Sequence, residues 1–195
     1  MIKSRIPLIT LATLSVFVAL VSFRFLAIGM EHAFMDMLEH IANKPTAFLL
    51  HVVASPIALT LGAFQFFPKF RKARPAFHRW TGRAYGVAVL VGGISGLVIA
   101  VSAKGGIAAQ LGFSILAVLW VVFTAIAVHF AMKRKIGKHR RWMIRSFALT
   151  FAAVTLRLYL PIFFANGFDY TQASVYVAWM CWVPNLIFAQ WWLNR

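Results

Sequence analysis

The chain has 195 residues, of which 62% are hydrophobic and 12% charged, and its mean hydropathy is +0.79. Soluble domains are about 45–50% apolar, and a soluble chain this short could not bury so much apolar surface. The net charge of +16 comes from basic residues in short clusters between long apolar runs, a pattern typical of membrane topology. The composition therefore excludes an ordinary soluble enzyme and gives no support to nucleic-acid binding.

Six apolar segments are long enough to cross a bilayer, which requires about 20 residues. They cover residues 6–29, 47–68, 82–103, 107–132, 142–165 and 173–193. Because a backbone inside lipid must satisfy its own hydrogen bonds, each segment is predicted to be helical. The sequence predicts an all-α, polytopic transmembrane bundle of about six helices that forms one integral membrane domain over residues 1–195.

The first segment resembles a signal peptide, since Lys3 and Arg5 precede an apolar stretch. The stretch continues past Arg24 to Ile28, and no small-residue cleavage site is evident. We therefore expect a retained N-terminal helix over 6–29.

Basic residues orient the chain by the positive-inside rule. With the N-terminus inside, sixteen basic residues fall on the inner side and only Lys44 and Lys104 in the outer loops. The acids were not used for this assignment, yet all four (Glu31, Asp36, Glu39 and Asp169) fall on the outer side. The sequence thus predicts that both termini are cytoplasmic.

Arg157, His51 and Gln65 are polar residues that lie within predicted spans. Arg157 is 12 residues beyond Arg145, or about 18 Å along a helix, which is too deep for a free route to water. His51 lies at a comparable depth in the second span, and Gln65 follows on the same helix. A charge at this depth costs about 2.5–3.5 kcal/mol and normally has a partner, yet no acid lies in any span. Arg157 and His51 are therefore candidate ligand-binding residues.

Two inner segments, 78–83 and 139–145, contain Arg-Trp-x-x-Arg closely preceded by histidine. The arginines are four residues apart and share one helical face. Helix N-termini attract anions, and the guanidinium fork matches phosphate or carboxylate. Arg83 and Arg145 are thus candidates for binding an anionic head group, a cofactor propionate or a phosphorylated ligand.

Histidine is the residue here best suited to ligate haem iron. One hypothesis places His78 and His139 as axial ligands of haem b, with Arg83 and Arg145 on its propionates. No spacing in the sequence dictates haem. The single cysteine, Cys181, lies in an apolar run, so neither a disulfide framework nor a cysteine zinc site is available.

Several separated motifs resemble the bacterial predicted membrane protein family called domain of unknown function 2306. In order they are His51, Gly62 and Gln65; His-Arg-Trp-x-Gly-Arg at 78–83; a glycine-rich helix; Gly112, Phe113 and Trp120; His-Arg-Arg-Trp-Met-Ile-Arg-Ser at 139–146; the run ending in Arg157 at 148–157; and Tyr159. The resemblance covers residues 45–165, with an extra helix at 6–29 and a C-terminal helix at 173–193. It implies a bacterial inner-membrane bundle and draws attention to a set of polar residues, but the family has no established activity. That set is His51, Gln65, His78, Arg83, His139, Arg145 and Arg157.

Three functional hypotheses remain open at this point. The first is a small membrane redox or cofactor-binding protein that uses haem b or quinone. The second is a small transporter or a protein that binds lipid or anions, and the third is an assembly partner in a larger membrane complex. The expected partners are the bilayer, an anionic lipid, a quinone or another membrane protein, including a second copy as a homodimer. No catalytic residue can be assigned, so enzymatic activity stays open.

Overall fold

The computed structural model describes residues 6–195, and the side chains of all of these except Ile6, Lys69 and Phe70. The helices are α1 (Ile6–Ser22), α2 (Phe25–Ile28), α3 (Met30–Ala33), α4 (Leu38–Asn43), α5 (Pro45–Gln65), α6 (Pro68–Ala73), α7 (Pro75–Ala100), α8 (Gly106–Met132), α9 (Ile136–Thr150), α10 (Ala152–Ala165), α11 (Tyr170–Met180) and α12 (Val183–Leu193). A 3₁₀ turn at Met35–Met37 separates α3 from α4. The described residues form no strand, which confirms the all-α prediction. Lys3 and Arg5 lie outside them.

Within residues 6–195, five helical stretches are long and apolar enough to cross a membrane. They are Pro7–Ile28, Pro45–Gln65, Pro75–Ala100, Gly106–Met132 and Ile136–Ala165. The sixth predicted segment is split into α11 and α12, each of 11 residues, and neither is long enough alone. The described residues therefore form a multi-pass bundle of five helical stretches with the length and apolar character of membrane spans, followed by a broken helix pair.

Side chains bond to the backbone at the break between α11 and α12. Pro184 lacks an N–H and Trp182 departs from helical geometry, with φ −124°. The Cys181 carbonyl accepts hydrogen bonds from the Thr155 hydroxyl and, at 2.8 Å, from the Asn185 side-chain amide. Side-chain donors thus satisfy one carbonyl at the break, as a non-aqueous environment requires.

Packing between α7 and its neighbours α5 and α8 forms the centre of the bundle, while α9 packs on α8 and α1 on α5. Lys44, just before α5, donates from Nζ to the Val98 carbonyl and the Ser102 hydroxyl near the end of α7, both at 2.7 Å. Successive spans therefore run antiparallel. We call the end that carries α2–α4 and the α7–α8 and α10–α11 connections the acidic end. The opposite end, with α6 and the α8–α9 connection, is the basic end. Which end faces the cytoplasm stays a prediction.

Gly112 allows α8 and α11 to approach closely. A Cβ at this position would lie 2.9 Å from both the Cβ and the carbonyl oxygen of Ala178. Such a contact is shorter than van der Waals packing permits, and backbone atoms cannot move aside as a flexible side chain can. This small-residue contact fixes the spacing of the two helices.

We predict that Gly112→Ala destabilises the protein by about 1–3 kcal/mol, the usual range for overpacking. Thermal unfolding in detergent micelles measures the loss. Gly137→Ala in α9 is the matched control, because nothing lies within 4 Å of the added Cβ. Equal unfolding temperatures for the two variants would contradict the close α8–α11 packing.

Candidate functional site

A cavity of about 830 Å³ lies toward the acidic end, between α1, α5, α7, α8 and α10. Its walls are mainly apolar. The polar residues that line it include Ser22, Arg24, His32, Asp36, His40, His51, Ser55, Lys104, Thr150, Arg157 and Tyr170. We call this space the large cavity. Two sequence-predicted residues, His51 and Arg157, are brought together in it.

The tautomer of His51 follows from its hydrogen bonds. Its Nδ1 lies 2.8 Å from the Gly92 carbonyl, which can only accept, so Nδ1 carries the hydrogen. The Ser55 hydroxyl is a more distant neighbour of the same nitrogen, at 3.4 Å. Gly96 makes room for the ring, since a Cβ there would lie 2.8 Å from Nδ1. In the neutral ring Nε2 therefore keeps its lone pair as an acceptor.

Arg157 is half-buried on α10, eight residues, or about 12 Å, from the end of that helix. Its Nη1 donates to the Ala153 carbonyl at 2.9 Å, one turn back on the same helix. Its electrostatic neighbours include Arg24 and His51. The charged group identified as acting on Arg157 is therefore another cation, Arg24.

Arg24 lies where α1 gives way to α2, and its guanidinium is held by the acidic-end segment. It donates to the Ala33 carbonyl and lies over the Phe34 ring, 4.9 Å from the centroid. Neither partner is charged. Arg24 and Arg157 thus present two guanidinium groups to one cavity.

His40 in α4 is a further polar group of the large cavity, and sequence reasoning gave it no role. Its side chain is 3% exposed, and neither ring nitrogen has a hydrogen-bond partner among the described residues. Burial lowers the pKa of His40 below its ordinary value, so the ring is neutral at pH 7.

The other sequence-predicted residues lie at the basic end. Gln65 donates from Nε2 to the Thr81 hydroxyl at 2.5 Å, which joins α5 to α7. His139 donates from Nδ1 to the Ala127 carbonyl, 2.8 Å away, and His78 is its electrostatic neighbour. These residues are separate from the cavity that holds His51 and Arg157.

The repeated Arg-Trp-x-x-Arg pattern forms two equivalent cation–π pairs. Arg83 lies over Trp80 and Arg145 over Trp142, each with 4.9 Å between the guanidinium carbon and the ring centroid. Arg145 also donates to the Gln190 side-chain oxygen from Nε at 3.0 Å and from Nη2 at 2.8 Å. A smaller cavity of about 540 Å³ includes Arg145 but not Arg83. The structure therefore does not unite the two arginines in one described pocket.

The residues present give no support to a haem site at the basic end. Neither of the two cavities described above is lined by His78 or His139. Within residues 6–195 no group of three or more His, Cys, Asp or Glu side chains is arranged to hold a metal ion. The haem hypothesis gains no geometric support.

A buried hydroxyl network borders the large cavity, and sequence reasoning missed most of it. Tyr85 Oη lies 2.7 Å from the Ser146 hydroxyl and 2.8 Å from that of Thr150. Trp120 donates from Nε1 to Thr150 Oγ1 at 2.8 Å, and the Thr124 hydroxyl lies 2.6 Å from that of Ser146 and donates to the Trp120 carbonyl. The only signal in the sequence was the four-residue spacing of Ser146 and Thr150 in an apolar run.

Every member of this network has a hydrogen-bond partner inside the bundle. The Thr150 hydroxyl accepts from Trp120 Nε1 and donates to the Ser146 carbonyl at 3.1 Å. In the pairs that Tyr85 forms with Ser146 and Thr150, either hydroxyl can be the donor. Since Trp120 and Thr150 also line the large cavity, the network forms a fixed part of its wall. A fully satisfied buried network rigidifies the elements that it joins, here α7, α8 and α9.

Tyr85→Phe should destabilise the protein by about 1 kcal/mol, because the hydroxyls of Ser146 and Thr150 each lose a hydrogen-bond partner inside the bundle. Equilibrium unfolding in mixed micelles measures the change. Tyr159→Phe, a half-buried tyrosine without a described hydrogen bond, is the control. An equal loss in both variants would argue against the network.

The chain was compared with known families, curated proteins and solved structures. Neither the curated proteins nor the solved structures gave a match. One family model, described as "Predicted membrane protein (DUF2306)", matches residues 48–193. This match continues through α12, beyond the motifs at 45–165. The chain therefore belongs to the DUF2306 family of predicted membrane proteins.

Proposed function

We propose that the chain binds, within the bilayer, an amphipathic lipid whose anionic group lies between Arg157 and Arg24 in the large cavity. The observation that carries this proposal is the position of Arg157: a guanidinium inside a membrane span, with its own-helix carbonyl as its hydrogen-bond partner and a second cation beside it. Placement in the bacterial inner membrane, with both termini cytoplasmic, is part of the same proposal.

The charges near Arg157 favour an anionic ligand. A guanidinium has five N–H donors, of which the Ala153 carbonyl takes one. The remaining donors need acceptors, because a charged group in hydrocarbon is costly when it is unpaired. An anion between Arg157 and Arg24 would relieve their repulsion, and phosphate or carboxylate oxygens match the planar fork. Asp36 also lines the cavity, but it is exposed and so does not serve as a buried counter-ion for Arg157.

The walls of the large cavity favour a ligand that enters from the membrane. Phe17 and Val21 on α1 and Leu158 and Phe164 on α10 line the cavity and are also exposed on the bundle, with Phe17 at 62% and Leu158 at 53%. For spanning helices, that surface faces hydrocarbon. The cavity would therefore admit an acyl chain laterally between α1 and α10, and its volume lies in the usual range for ligand sites.

His51 supports quinone binding as a second candidate function. With Nδ1–H donated to the Gly92 carbonyl, Nε2 is free to accept a hydrogen bond from a quinol hydroxyl. Arg157 could donate to the opposite carbonyl of a quinone. This candidate uses the same cavity, so competition between ligands distinguishes it from lipid binding.

Replacement of Arg157 tests the proposed function. We expect the protein in mild detergent to bind fluorescent phosphatidylglycerol more than tenfold more tightly than phosphatidylcholine, and Arg157→Gln to lower that preference about tenfold, since one charged hydrogen-bond partner is worth about 1.5–3 kcal/mol. Arg140→Gln, an exposed arginine at the basic end, is the matched control and should bind as the wild type does.

Two results would rule out the anion site. One is equal affinity of the wild type for the two lipids, and the other is a preference for phosphatidylglycerol that is unchanged in Arg157→Gln. Displacement of the probe by a short-chain quinone but not by unlabelled phosphatidylglycerol would favour the quinone candidate. Circular dichroism of each variant checks that the fold is retained.

A further inference from the structure

The large cavity has an unpartnered polar side chain at the acidic end. His40 is 97% buried, lines the cavity, and has no hydrogen bond at either Nδ1 or Nε2 among the described residues. The Ser102 main chain lies beside the ring. Even if one ring nitrogen donates to the Ser102 carbonyl, the other ring nitrogen still has no hydrogen-bond partner among the described residues. A buried polar group in this state requires a partner that the described protein does not supply.

His40 lies farther toward the acidic end than His51. His51 packs against Gly96 on α7, whereas His40 lies beside Ser102, six residues farther along. At 1.5 Å per residue the two levels are about 9 Å apart along the helix axis. The cavity therefore offers polar groups at two depths, with His51 and Arg157 at the inner one and His40 at the outer.

The charges near His40 are mixed. Its charged neighbours are Glu39, Lys44 and Lys104. The Lys44 ammonium is already bonded to the Val98 carbonyl and the Ser102 hydroxyl, while Lys104 lines the cavity. Asp36 lines it as well. With both signs present, the outer level favours a neutral polar group over a second full charge.

Resting on the lipid-binding function proposed above, we infer that His40 binds hydroxyl groups of a polyol head group, so that the ligand is a phospholipid of the phosphatidylglycerol type. Its phosphate would lie between Arg157 and Arg24, its acyl chains along the apolar walls, and its glycerol head toward the acidic end. A neutral imidazole has one hydrogen-bond donor and one acceptor, and hydroxyl groups can accept from the first and donate to the second. An ammonium head group could only donate hydrogen bonds, and its positive charge would be repelled by that of Lys104.

Two lipids of equal charge test this inference. Phosphatidylmethanol and phosphatidylglycerol each carry one negative charge, but only the second has hydroxyl groups on its head. The wild type should bind phosphatidylglycerol about tenfold more tightly. His40→Leu should lower phosphatidylglycerol affinity to that of phosphatidylmethanol, whose affinity stays unchanged. His40→Gln, which keeps a donor and an acceptor, should retain most of the preference.

His129→Leu, an exposed histidine near the end of α8, is the matched control and should keep the full preference. Equal wild-type affinity for the two lipids would overturn the role of His40. That result would not affect the conclusion that both lipids bind in an Arg157-dependent manner. An unchanged affinity of both lipids in Arg157→Gln would instead overturn the anion site, so the two failures are distinguishable.

Discussion

Polar groups inside hydrocarbon need partners within the protein, and the bundle is arranged around this constraint. The five-membered network of Tyr85, Ser146, Thr124, Thr150 and Trp120 meets it by closing on itself. At the broken C-terminal helix pair, the Thr155 and Asn185 side chains donate to the Cys181 carbonyl. Two groups of the large cavity differ among the described residues: Arg157 has a cation, Arg24, as its electrostatic neighbour, and neither ring nitrogen of His40 has a hydrogen-bond partner.

The two ends of the molecule treat arginine differently. At the basic end, Arg83 and Arg145 lie on tryptophan rings, and Arg145 is further held by Gln190. This arrangement is typical of interfacial anchors, in which a long charged side chain packs its stem on an apolar or aromatic surface. Arg157 lies deeper and faces a cavity in place of a ring. Depth and surroundings, not residue type, separate the candidate binding arginine from the anchoring ones.

Much of this arrangement could be predicted from the sequence. Apolar length predicted the spanning helices, and the absence of acids from the spans singled out Arg157. The similar depth of His51 and Arg157 follows from counting residues along α5 and α10. The lateral packing of the helices against one another could not be predicted from the sequence. Periodicity does not say which helix faces which, so the sequence did not show that Arg83 and Arg145 stay apart, each over the tryptophan three residues earlier on its own helix.

The burial of His40 was also beyond the sequence. It lies in the segment from Glu31 to Asn43, which mixes apolar and acidic residues outside the predicted spans, and only tertiary packing of α4 beside the end of α7 encloses it. Likewise, the hydroxyls of Thr124 and Ser146 look unremarkable in apolar runs until α8 and α9 bring them 2.6 Å apart. Functional and structural polar groups in a membrane bundle are distinguished by their partners, which a single sequence does not encode locally.

Native mass spectrometry of the protein extracted from its own membrane in mild detergent tests the central claim most directly. If the large cavity holds an anionic lipid, the wild-type chain should retain one anionic phospholipid through desolvation, at an activation energy that strips zwitterionic lipids. Arg157→Gln should be detected as the bare chain at the same energy. A wild-type chain that carries no lipid, or carries lipid classes in the proportions of the surrounding membrane, would contradict the account.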